Sequence, residues 1–383
     1  MDFAFTDEQL AIQETTRRFA QERLAPYYME REKEASLDMV AVKEMAELGL
    51  LGVNAPVEHG GMGADCITAG IVMEEIAKAD INYAFMQLMT SSIGVLLSKL
   101  APPEITNEFV PKLLQGETLL CMGLTEPGGG SDAANLQTKA TKDGDYYLLK
   151  GEKTSISLAA QSEKGIVFAR TSEGGARGIT GFFIDMNQEG VTTTRFDDVG
   201  CTPIGRGSIF MDNVRVHKSQ MLGTVEGKGF YQIMNAFDLS RTLIGLQALA
   251  PAISSVEETW QYAAERQAFG KPIATNQGVS FPLAEAETLM EAARNLCYKT
   301  LWLRDNDLPH TAEAAMCKWW PPKISFDIIH QCIVINGHYA YSKELPHQQR
   351  LRDVMGYHIG DGTHQIQKMV IAREKGGMVT LGR

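Results

Sequence analysis

Apolar residues recur at helical spacing over most of the first 120 positions. In TDEQLAIQETTRRFAQERL, Leu10, Ile12, Phe19 and Leu24 repeat at near-helical intervals. Thr6 stands just before Asp7, Glu8 and Gln9, which reads as an N-cap followed by negative charge suited to the helix dipole. MVAVKEMAELGLLG is a second helix stopped by glycine, NAPVEHGGMGAD is a glycine-rich loop, and ITAGIVMEEIAKAD and PEITNEFVPKLLQGE resume the helical period. Near residue 120 the period changes. From LLCMGLTEPGGGSD to about Val216, short alternating runs are separated by turns, and DYYLLKGEKTSIS, GIVFAR, GITGFFIDM, VTTTRF and SIFMDNVRV read as strands. Their spacing predicts an antiparallel sheet or small barrel rather than βαβ units. After GTVEGKGF the helical period returns over 231–267 and 281–305, where Leu283, Ala286, Leu289, Met290, Ala293, Leu296 and Cys297 form one stripe. Pro251 is expected to kink the first of these helices. The pattern predicts an α+β chain, mostly α, in three parts: an N-terminal helical domain over 1–120, a middle antiparallel β-domain over 121–230 and a C-terminal helical bundle over 231–383.

Composition narrows the partners more than the fold. The 383 residues are 44% hydrophobic and 22% charged, with a net charge of −11, which is ordinary for a globular protein. The acidic balance argues against nucleic acid or an anionic membrane as the main partner, since both require a basic surface. An anionic small ligand stays open, because a few local cations or a helix N-terminus suffice to hold one. The cysteines at 66, 121, 201, 297, 317 and 332 form no C-x-x-C pair and have no histidine at zinc spacing, so they read as buried reduced thiols and no metal is expected. The start MDFAFTDEQ has no apolar stretch behind basic residues, and no run of about 18 apolar residues occurs, so a soluble cytoplasmic protein with no membrane span is expected.

The chain lacks the P-loop, the G-x-G-x-x-G fingerprint after a strand, and the G-x-S-x-G elbow. Four short stretches carry the remaining chemistry, each with two readings. LTEPGGGSD is either a mobile surface loop or a loop whose backbone N–H groups approach a flat ring or phosphate. Asp238 and Arg241 in FDLSR, at i and i+3, are either a surface ion pair or a ligand-holding pair. ERQAFGKPIATNQ, which puts Arg266 close to Phe269 and Gly270 at the end of a long helix, is either a solvated helix end with a glycine stop or a ligand contact. Asp361 between Gly360 and Gly362 is either turn chemistry or a presented carboxylate.

Together and in this order, FTDEQ, VEHGGMG, LTEPGGGSD, KGEKTSIS, FDLSR, ERQAFGK and GDGTHQIQKMVIAR resemble the acyl-CoA dehydrogenase family over essentially the whole chain. The resemblance implies an N-terminal helical domain, a middle β-domain and a C-terminal four-helix bundle. It implies FAD held in extended form between the middle and C-terminal domains, with a neighbouring subunit of a homotetramer completing the site. An acyl-CoA substrate and electron-transfer flavoprotein as electron acceptor are the implied partners. Carried over by position, Met122, Leu124, Thr125, Ser155 and Ser157 would line the flavin. Ser131 would lie at the cofactor where the acyl-CoA chain passes. Arg266, Phe269 and Gln277 would reach the FAD of the partner subunit, and Thr363 and Gln365 would bind FAD from the last helix. Asp238 and Arg241 would hold the CoA arm, and Asp361 would be the base that removes the α-proton.

The chain departs from the family at that base. Straight-chain members carry Tyr-Glu-Gly-Thr where this chain has Gly360-Asp361-Gly362-Thr363. Asp is shorter than Glu by one carbon–carbon bond, about 1.5 Å, and Gly360 removes a ring from the pocket wall. Family members with Asp here resemble enzymes for alicyclic acids, so the expected substrate is cyclohexane-1-carboxyl-CoA or cyclohex-1-ene-1-carboxyl-CoA. The alternatives are a short- or branched-chain acyl-CoA dehydrogenase, an acyl-CoA oxidase, a nitroalkane-oxidase-like flavin oxidase, and a non-catalytic flavin or acyl-CoA binding protein.

Overall fold

The structure, a computed structural model, describes residues 4–34 and 36–377. Helix α1 (Asp7–Phe19) starts as the pattern predicts. The Thr6 hydroxyl accepts from Gln9 N at 3.2 Å and the Gln9 side chain accepts from Thr6 N at 3.1 Å, a capping box that satisfies two backbone donors. Helices α2 (Met39–Glu47), α3 (Cys66–Ala79), α4 (Ile81–Met89) and α5 (Pro103–Leu114) follow, with shorter turns between them. Helix α3 is buried without a break from Thr68 to Ala77. It is apolar on nearly every side because α1, α4 and the later bundle all pack on it.

Seven strands come next: β1 (Leu120–Gly123), β2 (Lys139–Asp143), β3 (Tyr146–Ile156), β4 (Lys164–Arg170), β5 (Ile179–Asp185), β6 (Val191–Thr193) and β7 (Gly207–His217). The pairs β2–β3, β3–β7, β4–β5 and β6–β7 are antiparallel, but β1 and β2 both run parallel to β4. The sheet is therefore mixed, where strand spacing predicts an antiparallel one. Alternation within a strand reports which face is buried and carries no information about direction. In β4, Ile166 and Phe168 join one apolar cluster while Val167 and Ala169 join another. That burial on both faces explains its unbroken apolar run.

The C-terminal helices are α6 (Gly229–Glu265), α7 (Gln277–Asp305), α8 (Thr311–Asn336), α9 (His347–Met355) and α10 (His364–Gly376). Helices α6, α7 and α8 pack on one another, and α9 with α10 closes the bundle against α8. Pro251 does not interrupt α6, which runs unbroken from Gly229 to Glu265. Every residue from Leu239 to Ala252 is buried, so neighbours on all sides hold the helix through the missing hydrogen bond. Helix α9 joins all three parts of the chain. Asp353 accepts from the Tyr28 hydroxyl at 2.6 Å and from Cys201 N at 2.5 Å. Arg352 pairs with Glu32 and donates to Val199 O at 2.7 Å, and Gln349 donates to Tyr28 O at 3.1 Å. Among the described residues no helix is long and apolar enough to cross a membrane.

Candidate active site

Between α9 and α10 the chain makes a short turn at Gly356–His358 and then presents Asp361. Asp361 has φ +54° and Gly362 has φ +93°, so two left-handed residues in a row aim the chain into α10. Aspartate tolerates this region better than most residues with a Cβ. Thr363 then caps α10, its hydroxyl accepting from Ile366 N at 3.3 Å. The two flanking glycines differ. A Cβ at Gly362 would be strained by its φ and would meet Gln367 Nε2 at 2.5 Å. A Cβ at Gly360 would meet nothing nearer than Gly356 O at 3.7 Å. The backbone demands glycine at 362 and does not at 360.

Asp361 is exposed, yet desolvation by the surrounding protein raises its carboxyl above the ordinary carboxylate range, against the pull of Lys318 and Arg241. Both hold where part of the residue reaches water while protein fills most directions around its carboxyl. Lys318, on α8, is fully buried. Its ammonium donates to Tyr357 O at 2.7 Å and Gly362 O at 3.3 Å. Arg241, on α6, donates to Asp238 Oδ1 at 3.1 Å, and Asp238 Oδ2 accepts from the Thr311 hydroxyl at 2.7 Å. Asp238 and Arg241 are thus a mostly buried pair, not the exposed ion pair that their spacing alone suggests. Burial weakens the Arg241 cation, and Asp238 and Asp361 both support it. Arg241 Nε is buried with no hydrogen-bond partner among the described residues.

The LTEPGGGSD loop is fastened from β3. Lys153, fully buried, donates to Glu126 Oε1 at 2.7 Å and to Leu124 O at 3.2 Å. The Glu126 carboxylate also accepts from Gln137 N at 2.5 Å and Thr138 N at 2.9 Å. Thr154 N donates to Thr125 O at 2.9 Å. This brings Leu124, Thr125 and the end of β3 together: Met122, Thr125 and Ser157 are half-buried, while Ser131 and Ser155 are exposed. The first turns of α6 (Phe230, Met234, Phe237) pack into the same apolar cluster as Met122 and Leu124. The same helix continues into Asp238 and Arg241, whose charge acts on Asp361, so α6 links the shelf at β1 and β3 to the turn that carries Asp361.

Arg266, Phe269 and Gln277 lie elsewhere. Arg266 is 25 residues along from Arg241, about 37 Å at the helical rise. Phe269 is 99% exposed at the tip of the Gln267–Ala268/Lys271–Pro272 hairpin, with φ +54°, and Arg266 and Gln277 are exposed beside it. At that distance they do not serve the Asp361 of their own chain. Gln365 is exposed on the first turn of α10. Reading the sequence missed Lys318, Glu126, Lys153, Thr311 and Gln367. The signal for the two lysines was a charge inside an apolar context, AAMCKWW on α8 and the inward register of β3.

The N-terminal, middle and C-terminal domain models of acyl-CoA dehydrogenase match residues 6–117, 121–214 and 227–376 in that order. This chain belongs to the acyl-CoA dehydrogenase family. It is an oxidoreductase of a family whose cofactor is FAD. It is 36% identical over 374 residues to 3-(aryl)acrylate reductase of Clostridium sporogenes, covering 96% of this chain and 98% of that one. It is 33% identical to a subunit of the caffeyl-CoA reductase–Etf complex of Acetobacterium woodii, covering 96% and 98%. The butyryl-CoA dehydrogenase structure from Megasphaera elsdenii superposes with a TM-score of 0.93 at 32% identity, covering 100% of each chain. The residues fit a flavin of this family. The shelf at Met122, Leu124 and Thr125, tied to β3 by the Thr154 N–Thr125 O hydrogen bond, suits a flat ring.

Proposed function

We propose that this acyl-CoA dehydrogenase acts on an alicyclic thioester, cyclohexane-1-carboxyl-CoA or cyclohex-1-ene-1-carboxyl-CoA, with Asp361 removing the α-proton. The observation that carries this is the Gly360–Asp361 pair: a short carboxylate presented by a left-handed turn beside a glycine that the backbone does not require. Proton transfer needs the reacting atoms within about 3–3.5 Å of each other. A carboxylate about 1.5 Å shorter than Glu meets an α-carbon that comes closer, and an α-carbon inside a ring needs the room that the missing side chain at 360 leaves. Desolvation raises the Asp361 carboxyl, which makes it a stronger base near neutral pH. FAD, when bound, supplies the acceptor for the hydride leaving the β-carbon. Met122, Leu124, Thr125, Ser155 and Ser157 are read as its shelf, Ser131 as the passage for the acyl chain, and Thr363 and Gln365 as contacts from α10. Asp238 and Arg241 are read as the substrate-side pair.

The exposed Phe269, with Arg266 and Gln277, supports a contribution to the FAD of a neighbouring subunit in a homotetramer. The relative that belongs to an Etf complex supports electron-transfer flavoprotein as redox partner. A second reading keeps the same residues. Two relatives are named for reduction of aryl-acrylate and caffeyl groups, which favours a ring on the β-carbon and the reductive direction.

Anaerobic mixing of the FAD-loaded protein with a panel of CoA esters tests both. Faster flavin bleaching by cyclohexanecarboxyl-CoA than by butyryl-CoA or 3-phenylpropionyl-CoA supports the alicyclic reading. Fastest reduction by phenylpropionyl-CoA selects the second, and turnover of nitroethane with no response to any CoA ester removes both. Asp361→Asn is expected to keep FAD and lose about 10³-fold in flavin reduction. A loss under tenfold would refute Asp361 as the base.

A further inference from the structure

The segment that carries Asp361 is held from below by two side chains. Lys318 Nζ donates to Tyr357 O, at one end of the segment, and to Gly362 O, just beyond the carboxylate. Gln367, fully buried on α10, donates from Nε2 to Asp361 O at 3.1 Å and to Gly362 O at 3.2 Å. Consecutive left-handed residues at 361 and 362 persist only where surrounding contacts over-determine them. These four hydrogen bonds to three carbonyls are such contacts.

Lys318 does more than a neutral donor such as Gln367 could. An ammonium taken fully out of water is costly unless compensated, and both of its hydrogen bonds go to backbone carbonyls. The charges around it come from every element that packs there. Asp361 on the turn supports the ammonium, and Arg241 on α6 opposes it. His358 and His364, on the turn and at the start of α10, are held neutral-leaning in part by Lys318. Around Asp361 stand Lys318 and Arg241 as favourable cations and Tyr357 as a half-buried phenol that desolvation pushes up. Asp238 on α6 is spent on Arg241, and Arg373 on α10 acts on Arg241 in turn.

We propose that Lys318 is the positioning residue of the base, a buried ammonium that fixes the 357–362 segment by its carbonyls and supplies the counter-charge that keeps Asp361 ionised. The inference rests on the reading of Asp361 as base. It adds that the proton affinity and the aim of that base are set from α8, a helix that sequence motifs around the base do not include. Burial holds Lys318 down to about 8, against the support of Asp361. Below that pH the counter-charge is present, and the removal of a proton from the α-carbon is assisted by an ionised Asp361.

The test is stopped-flow flavin reduction against pH, at saturating levels of whichever CoA ester best reduces the wild type. Lys318→Gln keeps a donor and drops the charge, and Lys318→Met drops both. Both variants are expected to move the midpoint of the rising limb up by about one pH unit. Lys318→Met is expected to lower the plateau rate by a further tenfold or more, with the KM for the ester within about twofold of wild type. A merely structural lysine would lower FAD content or thermal stability and leave the midpoint of the surviving enzyme where it was. Lys318→Gln with FAD bound and an unmoved midpoint overturns the inference, even if Lys318→Met does not fold. Asp361→Asn run alongside separates the two claims. If it is inactive while Lys318→Gln is unshifted, the base reading stands and the role of Lys318 falls. If it reduces flavin at the wild-type rate, both fall.

Discussion

Removing the Glu126 carboxylate should unfasten the LTEPGGGSD loop at a calculable cost. Glu126→Ala takes away the acceptor for Lys153 and for the N–H groups of Gln137 and Thr138. Each N–H left without a partner costs about 1–3 kcal/mol. Lys153 is fully buried and held down to about 8 with Glu126 in place. Its further cost is bounded, because it can shed its proton: at pH 7, neutralising a lysine whose unfolded value is about 10.4 costs no more than about 4.6 kcal/mol. Most of that is already present in the wild type, and the remaining gap is about 1 kcal/mol. The expected destabilisation is about 3–5 kcal/mol, the range for breaking a buried pair from one side. The lysine also sets a pH signature. A lysine whose folded value is depressed binds fewer protons in the fold than in the unfolded chain, so stability rises with pH between the two values. In the variant that rise begins below pH 7, whereas in the wild type it begins near 8. The deficit should therefore shrink by about 1 kcal/mol between pH 7 and 8. Urea denaturation at both pH values, followed by circular dichroism, measures it, and FAD content from the absorbance ratio should fall as Leu124 and Thr125 lose their fixing. Destabilisation below about 1 kcal/mol, or a deficit that grows with pH, would refute the clamp.

Asp353, held up to about 7 by burial despite its bonds to Cys201 N and the Tyr28 hydroxyl, makes stability pH-dependent in the opposite sense. A carboxyl raised in the fold contributes stability that is full below its unfolded value of about 3.9, declines above it and is gone by about pH 7. The melting temperature should fall from about pH 5 to 7 and level off above that, and Asp353→Asn should flatten the fall; an equal fall in both proteins assigns the pH dependence elsewhere. Gly227, with φ +79°, would place a Cβ 2.0 Å from Arg177 O. Gly227→Ala should cost at least about 2 kcal/mol. Gly144→Ala, where φ is +61° and no atom lies within 4 Å of the new Cβ, should cost only about 1–2 kcal/mol. Equal urea midpoints for the two variants would discount the clash.

Periodicity made the helices and strands legible because burial on one face leaves a residue-by-residue trace. Thr6, Gln9 and the buried positions Leu283, Ala286, Met290, Ala293 and Cys297 are such traces, although Leu289 of the same predicted stripe is exposed. The parallel pairing of β1 and β2 with β4 left none, since strand direction is decided by where a connection crosses. Asp361 was visible as a carboxylate between glycines, but its two readings were separable only through family resemblance. Its environment was not visible at all. Lys318 lies 43 residues before it in the chain, and Arg241 reaches it from α6. Pairings at such distances are made by tertiary packing, and one lysine in an apolar run signals only that something must compensate it. The same holds for Glu126 and Lys153, which meet across 27 residues.

The Tyr28–Asp353 hydrogen bond spans 325 positions of sequence, and this has a consequence for biosynthesis. The first helices leave the ribosome long before the segment that completes their contacts exists. At about 5–20 residues per second the wait is on the order of 16–65 s. During that interval Tyr28, Glu32 and the Cys201 turn have no Asp353, Arg352 or Gln349 to meet. Helix α9 is thus a late keystone. Chains truncated before residue 347 should hold a helical part and a sheet that fail to lock, and premature termination near the end of the message should be as damaging to assembly as one near its middle.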